Sequence, residues 1–259
     1  MLFAPPPAFI NPFLSESSAV FRAMTTPQAN ARKYLIDTTI RSLKTAGVWT
    51  KLDCLYLLAA ADSQAALVNW KNPGTFNLTV AGAPTFSADD GYTGDAVDDS
   101  LATGFTPSTA GGNYVQDSAH LGAWVLNDIT STTAYSIAHI SGSTPQAILR
   151  PRSTATQAVW TVNNATAVTT ATVTTSAGHT MINRSASDAQ QIYKNGTELG
   201  TSSGASTGLP TTAIHLLRGF SAFSAHQIAA AHIGSSLNST EADALYDVLN
   251  AYLTSVGAV

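Results

Sequence analysis

Short runs of alternating apolar and polar residues fill the chain between residues 48 and 236. Alternation with a period of two is typical of half-buried β-strands, and the frequent Thr and Val favour the same conformation. Turn-forming groups such as Asn72-Pro73-Gly74 separate the runs. The pattern predicts strands at residues 52–59, 76–80, 121–127, 134–140, 147–150, 158–162, 167–174, 179–184, 190–194, 214–218 and 228–233.

Residues 178–200 carry the clearest local signal in the chain. Two of the predicted strands, 179–184 and 190–194, lie here, and the dipeptide Asn195-Gly196 follows the second one. Asn-Gly suits a type I′ turn, because both central residues of that turn need a positive φ. The segment therefore predicts antiparallel strands joined by tight turns.

Two segments have helical rather than strand periodicity. Residues 28–47 repeat apolar side chains every three to four positions, and Gly47 ends the pattern. Residues 239–256 repeat them in the same way, with Ser239 or Thr240 as the N-cap and acidic residues in the first turn. We expect one amphipathic helix on each side of the strand-rich region.

The segment at residues 1–27 is apolar and is interrupted by prolines. Such a composition is typical of extended chain without a core of its own. Exposed phenylalanines would be costly, so this arm is predicted to lie on its own domain or on a neighbouring subunit. The predicted anchoring residues are Phe3, Phe9, Phe13 and Phe21.

Together these elements predict an all-β protein. The expected architecture is a two-sheet antiparallel β-sandwich, or jelly roll, flanked by an N-terminal arm and helix and by a C-terminal helix. No helix-length segment interrupts the strands, so a parallel α/β sheet is not expected. The predicted organisation is an arm at 1–27, a helix at 28–47, and a sandwich at 48–259 that includes the helix at 239–256.

The charge content narrows the classes of partner. Only 11% of the 259 residues are charged, against a usual fraction of about 25%. A net charge of −4 with scattered basic residues argues against nucleic-acid binding. No apolar run reaches the roughly 18–20 residues that span a bilayer, and the N-terminus lacks the basic region of a signal peptide. A low-charge surface suits a protein that assembles with partners, or a stable extracellular domain.

Two segments carry a family resemblance: the paired strands ending in QQIYKNGTELG, and the later block GFSAFSAHQIAAAHIGSSLNSTEADALYDVLNAYLTSVGA. They resemble the concanavalin A-like lectin/glucanase superfamily, in the laminin-G-like form common in bacteriophage and prophage virion proteins. The front segments WTKLDCLYLLAAADSQAALVNWKNP and GYTGDAVDDSLATGF are also similar to the phage versions. The resemblance covers roughly residues 46–259. It implies a jelly roll used for glycan or protein recognition, in virions as a capsid decoration, head fibre or tail-fibre module.

Catalytic residues are expected to be absent. Glucanases of this superfamily use paired carboxylates, and retaining hydrolysis needs two of them close together. The chain has only three glutamates, Glu16, Glu198 and Glu241, which fall in the arm, the hairpin and the terminal helix. Residues 200–204 match Gly-x-Ser-x-Gly, but a nucleophile elbow needs a helix next, and a loop is predicted there. We therefore predict that the protein is not an enzyme.

The best metal candidate is an acidic cluster made of Asp89, Asp90, Asp95, Asp98 and Asp99. Calcium prefers several oxygen ligands from a flexible loop, and the first three residues are the candidate ligands. Their spacing matches no defined calcium loop, and Asp-Gly pairs form turns without a metal. A solvated turn is the favoured interpretation, so no cofactor is expected, with calcium as the alternative.

Trp70 and Asn72 are the candidate ligand-binding residues. Trp70 precedes a predicted loop and could stack on a sugar ring, although packing is the favoured role for it as well. Trp124 and Trp160 lie in apolar strand patterns typical of a core. The six histidines have no metal-ligand spacing, so we expect partnered structural histidines. Cys54 is the only cysteine and lies in an apolar run, which predicts a buried, inert thiol.

We predict a non-enzymatic phage virion structural protein: a capsid decoration, head fibre or tail-fibre component that also contacts host surface glycans. Its expected partners are other virion proteins, further copies of itself and a host glycan, with no nucleic acid and no membrane span. It would be assembled in the host cytoplasm and would end in the extracellular particle. One alternative is a carbohydrate-binding lectin not dedicated to virions, and a weaker one is a glycan hydrolase.

Overall fold

The computed structural model describes residues 12–142 and 144–259. Its helices are α1 (Ser15–Ala23), α2 (Asn30–Thr45) and α3 (Ser239–Val256). Its strands are β1 (Leu52–Leu57), β2 (Thr79–Ala81), β3 (Thr85–Ser87), β4 (Gly91–Thr93), β5 (Ser100–Ala102), β6 (Ala119–Val125), β7 (Ile137–His139), β8 (Gln146–Thr154), β9 (Gln157–Asn164), β10 (Val168–Ala171), β11 (Gly178–Ala186), β12 (Ala189–Lys194), β13 (Thr197–Ser202), β14 (Ile214–Leu216), β15 (Arg218–Gly219), β16 (Ala222–Phe223) and β17 (Gln227–Gly234).

The strands form two antiparallel sheets that make a sandwich, which confirms the predicted fold class. Sheet A has the order β13-β12-β11-β6-β17-β4-β3, and β1 also pairs with β17. Sheet B has the order β10-β9-β8-β7-β14-β5-β2. The short strands β15 and β16 pair only with each other. Neighbours in each sheet are often far apart in sequence, so the sheets bring distant segments together.

The predicted turn at Asn195-Gly196 is confirmed. It joins β12 to β13, and β12 pairs on its other side with β11, where Ile182 lies opposite Ile192. Asn195 has a φ of 48° and Gly196 a φ of 79°, as a type I′ turn requires. A Cβ atom on Gly196 would lie 2.4 Å from Asp243 Oδ1 of α3. The turn therefore packs closely against the C-terminal helix.

Helix α3 covers the outer face of sheet A. Side chains alternate along β6, so His120, Gly122 and Trp124 share one face. The ring of Tyr246 on α3 stacks on Trp124, with centroids 5.5 Å apart and planes 4° from parallel, which places α3 over that face. Helix α2, within the predicted range 28–47, packs against α3 in turn. No helix in the described parts of the chain is long and apolar enough to cross a membrane.

The sequence pattern was wrong over part of the N-terminal segment, because Ser15–Ala23 is helical rather than extended. Asp37 of α2 explains the difference: its Oδ1 accepts the Leu14 N–H at 2.8 Å and the Ser17 hydroxyl at 2.7 Å. Val20 is fully buried in the same contact. The helix is thus stabilised by packing on α2, which lies beyond the reach of local periodicity.

The four predicted anchoring phenylalanines fall into two groups. Phe3 and Phe9 lie outside the described residues. The ring of Phe13 packs on Phe21, with centroids 5.2 Å apart, and on Tyr34 of α2, at 5.1 Å. Phe13 and Phe21 therefore lie on their own domain, and Tyr34 remains 57% exposed beside them. We call Phe13, Phe21 and Tyr34 the aromatic cluster.

Candidate functional site

A pocket of about 330 Å³ opens where β1 begins, and we call it the Asp53 pocket. Its volume lies at the small end of the range of about 300–1,000 Å³ typical of ligand pockets. Apolar side chains and polar groups share its wall, as is usual for small-molecule sites. The pocket is lined by Leu52, Asp53, Lys71, Asn72, Thr75, Phe76, Phe105, Ala110, Gly111, Gly112 and Asn113.

A β-bulge aims Asp53 into this pocket. In the pairing of β1 with β17, Leu52 lies opposite Gly234 and Cys54 opposite Ile233, so Asp53 is the extra residue. Bulges commonly re-aim a side chain next to a functional site. The Asp53 carboxylate accepts the N–H groups of Asn113 and Tyr114, each at 2.8 Å. Burial raises the pKa of Asp53, while these hydrogen bonds oppose the rise.

The loop that meets Asp53 depends on Gly112. This residue has a φ of 102°, and a Cβ atom on it would lie 2.5 Å from Asp53 Oδ1. Glycine therefore serves both the backbone conformation and the close approach to the carboxylate. Asn113 fixes the loop further by donating from Nδ2 to the Leu52 carbonyl at 3.0 Å.

The opposite wall is organised by buried Asn69. Its Oδ1 accepts the N–H of Leu55 at 3.0 Å and the N–H of Lys71 at 3.1 Å, and its Nδ2 donates to the Thr75 carbonyl at 3.0 Å. Lys71 Nζ donates to the Trp49 carbonyl at 2.7 Å and lies 5.2 Å from the centroid of that indole. Burial lowers the pKa of Lys71, and the Asp53 charge opposes this. A carboxylate and an ammonium thus line one small pocket.

Of the two predicted ligand-binding residues, only Asn72 lies at this pocket. Asn72 is exposed, and its side chain makes no hydrogen bond to any residue that the structure describes. Trp70 is only 1% exposed and packs edge-on against Tyr252 of α3, with centroids 5.4 Å apart. It offers no face to a ligand, which corrects its assignment. The aromatic wall is instead formed by half-buried Phe76, whose ring packs on Phe105 at 5.2 Å.

The three predicted calcium ligands do not converge. Asp89 lies between β3 and β4 and forms an ion pair with Arg32 at 2.5 Å. Asp95 lies in the next loop, and the carboxylates of Asp95, Asp98 and Asp99 come within 4.8 Å of one another. Asp95 Oδ1 accepts the Val97 N–H at 2.7 Å, and Asp99 Oδ1 accepts the Ala83 N–H at 2.6 Å. Asp90 belongs to neither contact, so of the predicted ligands only Asp95 lies in the group formed with Asp98 and Asp99.

Sheet A contains a row of histidines that sequence reasoning did not find. His120, His179 and His232 lie on β6, β11 and β17, and we call them the histidine row. All three are buried between sheet A and α3. The Nε2 atoms of His179 and His232 are 2.8 Å apart, and the rings of His120 and His232 have centroids 5.0 Å apart. No signal could have revealed the row, because the residues become neighbours only through the strand order.

The histidine row is neutral at physiological pH. Burial lowers the pKa of His120 to about 4, that of His179 to about 3, and that of His232 well below its ordinary value. The expectation of fully partnered histidines was wrong: within the described chain, His120 Nε2 and the Nδ1 atoms of the other two have no hydrogen-bond partner. Their ligand atoms are also not gathered within 4.8 Å, so the row lacks the compactness of a metal site.

The motif at residues 200–204 does not form a nucleophile elbow. Gly200 to Ser202 belong to the end of β13, rather than to the predicted loop, and no helix follows them. The hydroxyl of Ser202 accepts the Gly204 N–H at 3.1 Å, which is a local turn contact. Glu16 pairs with Lys44 and Glu241 with Lys51, none of which lines the Asp53 pocket, while Glu198 is exposed on β13.

No protein-family model matches the chain, and a search of curated proteins finds no significant match. Solved structures do match. Trypanosoma rangeli sialidase in complex with sialic acid aligns with a TM-score of 0.52 at 14% identity, over 84% of this chain and 39% of the sialidase. A point mutant of HCR/D aligns with a TM-score of 0.53 at 11% identity, over 77% of this chain and 52% of that one.

These likenesses show the fold. The chain spans about 39% of the sialidase and about half of HCR/D, so each match concerns one part of a longer protein. At identities of 14% and 11%, what is shared is a β-sandwich fold. The function has to be argued from the pocket itself.

Proposed function

We propose that this chain is a non-enzymatic recognition module that binds a glycan in the Asp53 pocket. The observation that carries the proposal is the side-chain set of the pocket: the exposed amide of Asn72, the half-buried ring of Phe76, and the Asp53 and Lys71 charges. Sugars present hydroxyl groups that both donate and accept hydrogen bonds, and apolar C–H faces that pack on aromatic rings. This pocket offers partners for both kinds of surface.

The carboxylate count supports binding rather than hydrolysis. Asp53 is the one carboxylate among the described residues that line the pocket, whereas glycoside hydrolysis ordinarily uses two. Asp53 also accepts two backbone hydrogen bonds, so its position is set by the loop that it holds. Asp53 is therefore held in a fixed position, from which it can orient a bound ligand.

We expect Asn72→Ala to weaken glycan binding by about five- to tenfold, since one hydrogen bond to the ligand is worth about 1–1.5 kcal/mol. A glycan array with the full chain would identify the ligand, and calorimetry would compare the variants. Asn250→Ala on α3 is the matched control and should bind as the unchanged protein does. Failure of the unchanged chain to bind any glycan, or equal affinity of both variants, would contradict the proposal.

We also propose that the module is a virion component anchored near its N-terminus. The aromatic cluster supports this, because Tyr34 exposes 57% of its surface beside Phe13, close to where residues 1–11 join the described chain. Exposed aromatic residues are favoured at protein interfaces. The low charge content and the resemblance to phage virion proteins point to the same setting.

Anchoring can be tested without disturbing the fold. Removal of residues 1–11, combined with Tyr34→Ser, leaves Val20 and the contacts of Asp37 with α1 in place. We expect this variant to lose at least about tenfold in co-sedimentation with particles made from the genome that encodes the chain. Asn72→Ala should sediment with particles normally. Full incorporation of the truncated variant would refute the anchor, whatever the outcome of the glycan measurements.

A further inference from the structure

A second pocket, of about 230 Å³, lies at the opposite end of the sandwich. The strand pairing shows this. Lys194 pairs with Thr180, which pairs with Ala123 near the end of β6. Leu52 of the Asp53 pocket pairs with Gly234, which lies opposite His120 at the start of β6. We call it the Lys194 pocket. It is lined by Thr172, Val173, Thr174, Thr175, Lys194, Asn195 and Leu199.

The Lys194 ammonium has only neutral partners in the described chain. Its Nζ donates to the Ser176 carbonyl at 3.1 Å and to the Thr180 hydroxyl at 3.2 Å. No carboxylate of the described residues lies within ion-pair distance of it. An ammonium has three N–H donors, so one donor has no acceptor among those residues.

The neighbouring carboxylate is already occupied. Asp128 attracts Lys194 through space, but its Oδ1 accepts the Ser176 N–H at 2.8 Å and its Oδ2 pairs with Arg152. Burial lowers the pKa of Lys194 to about 8, and the charge of Asp128 opposes this only in part. The ammonium thus stays charged at neutral pH although burial disfavours the charge, and an anionic ligand would offset this desolvation.

The rest of the pocket suits an oxyanion. Thr174 and Thr175 line it, and their hydroxyl groups can donate hydrogen bonds. Asn195 Oδ1, the amide acceptor at the rim, already accepts the His179 N–H at 2.9 Å. Hydrogen bonds between an ammonium and an oxyanion are about twice as strong as those between neutral groups.

We propose that the Lys194 pocket binds an oxyanion: a carboxylate, sulfate or phosphate group, either free or carried by an acidic sugar. The site is independent of the Asp53 pocket and of the glycan proposed to bind there. One arm of the test uses inorganic sulfate, and a second uses a sulfated oligosaccharide beside its unsulfated counterpart. All measurements are made at constant ionic strength against chloride, so that general screening cancels.

The first readout is NMR of the full chain with labelled lysine. We expect sulfate to raise the pKa of Lys194 by about one unit in a saturable manner, while the side-chain resonance of Lys33, which has no ion pair in the described chain, does not move on addition of sulfate. The second readout is affinity: Lys194→Met should weaken binding of the preferred anion at least about tenfold, and Lys33→Met should not. The NMR measurement needs no variant, so a misfolded Lys194→Met would not obscure the result.

The outcomes separate the two anion sources and the two sites. Sulfate binding without preference for the sulfated oligosaccharide would assign a free anion, and a preference abolished by Lys194→Met would assign an acidic glycan. Asn72→Ala should leave the sulfate response intact even if the Asp53 pocket binds nothing. Absence of a saturable shift at Lys194 with sulfate, phosphate and the sulfated oligosaccharide alike would overturn the proposal.

Discussion

Lowering the pH from 7.5 to 5.5 should remove roughly 8 kcal/mol from the free energy of unfolding. All six histidines, the histidine row together with His139, His215 and His226, are buried, and burial lowers the pKa of each below its ordinary value of 6.5. The unfolded chain therefore binds protons at pH values where the folded chain does not. Each such group loses about 1.4 kcal/mol one unit below pH 6.5. Whole domains have only about 5–15 kcal/mol of stability.

The direction and the pH window follow from the same shifts. Stability is fully present above about pH 6.5 and is lost as the pH falls toward 4, because the folded pKa values are depressed. Two groups near the row add to the effect: Lys51 lowers the pKa of His120, and Lys194 lowers that of His179, while Glu241 opposes the first. The depressed carboxylates, such as Glu16 with a pKa of about 2, act only at lower pH.

Urea unfolding between pH 8 and pH 5 would measure this loss. His179→Phe is the informative variant, because a phenyl ring can occupy the place of the imidazole beside Trp124 and Tyr246 without binding a proton. Its loss between pH 7.5 and 5.5 should be smaller by about 1.4 kcal/mol, whatever its absolute stability. A free energy of unfolding that stays constant over this interval would show that the histidines are hydrated or charged in the folded protein.

Gly91→Ala should destabilise the protein by several kcal/mol, the largest effect that we expect from adding a single methyl group. Gly91 has a φ of 103°, and a Cβ atom there would lie 2.1 Å from the Ile228 carbonyl oxygen. That oxygen belongs to the backbone of β17, which lies at the centre of sheet A and cannot rotate away. The variant must separate β4 from β17, where Ile228 lies opposite Tyr92.

Gly74→Ala separates the backbone strain of a positive φ from the steric clash with the Ile228 carbonyl. Gly74 has a similar φ of 92°, but a Cβ atom on it would meet no atom within 4 Å. We expect it to cost about 1–2 kcal/mol, the strain of a left-handed backbone alone, as measured by urea unfolding at pH 7.5. The difference between the variants then measures the close approach of β4 to β17. Equal losses would mean that sheet A relaxes around the added atom.

Some elements of the structure could be predicted from the sequence pattern and others could not. The hairpin turn at Asn195-Gly196 could be predicted to the residue, because a type I′ turn depends on two local φ angles. The bounds of helix α3 could also be predicted from its periodicity, but the N-cap is Asn238 rather than Ser239 or Thr240, because Asn238 and Glu241 form a capping box. Short strands such as β4 were not predicted, because three residues are too few to show a period.

The sequence by itself determined the β-sandwich class, the Asn-Gly turn and the amphipathic helices, because side-chain alternation and turn sterics act between near neighbours. Only the tertiary structure decided the sites. It buried Trp70 against Tyr252, aimed Asp53 through a bulge into a pocket with Asn72, and aligned three histidines from separate strands. The physical reason is that strand order and register set which distant residues meet, and a period of two carries no information about that order.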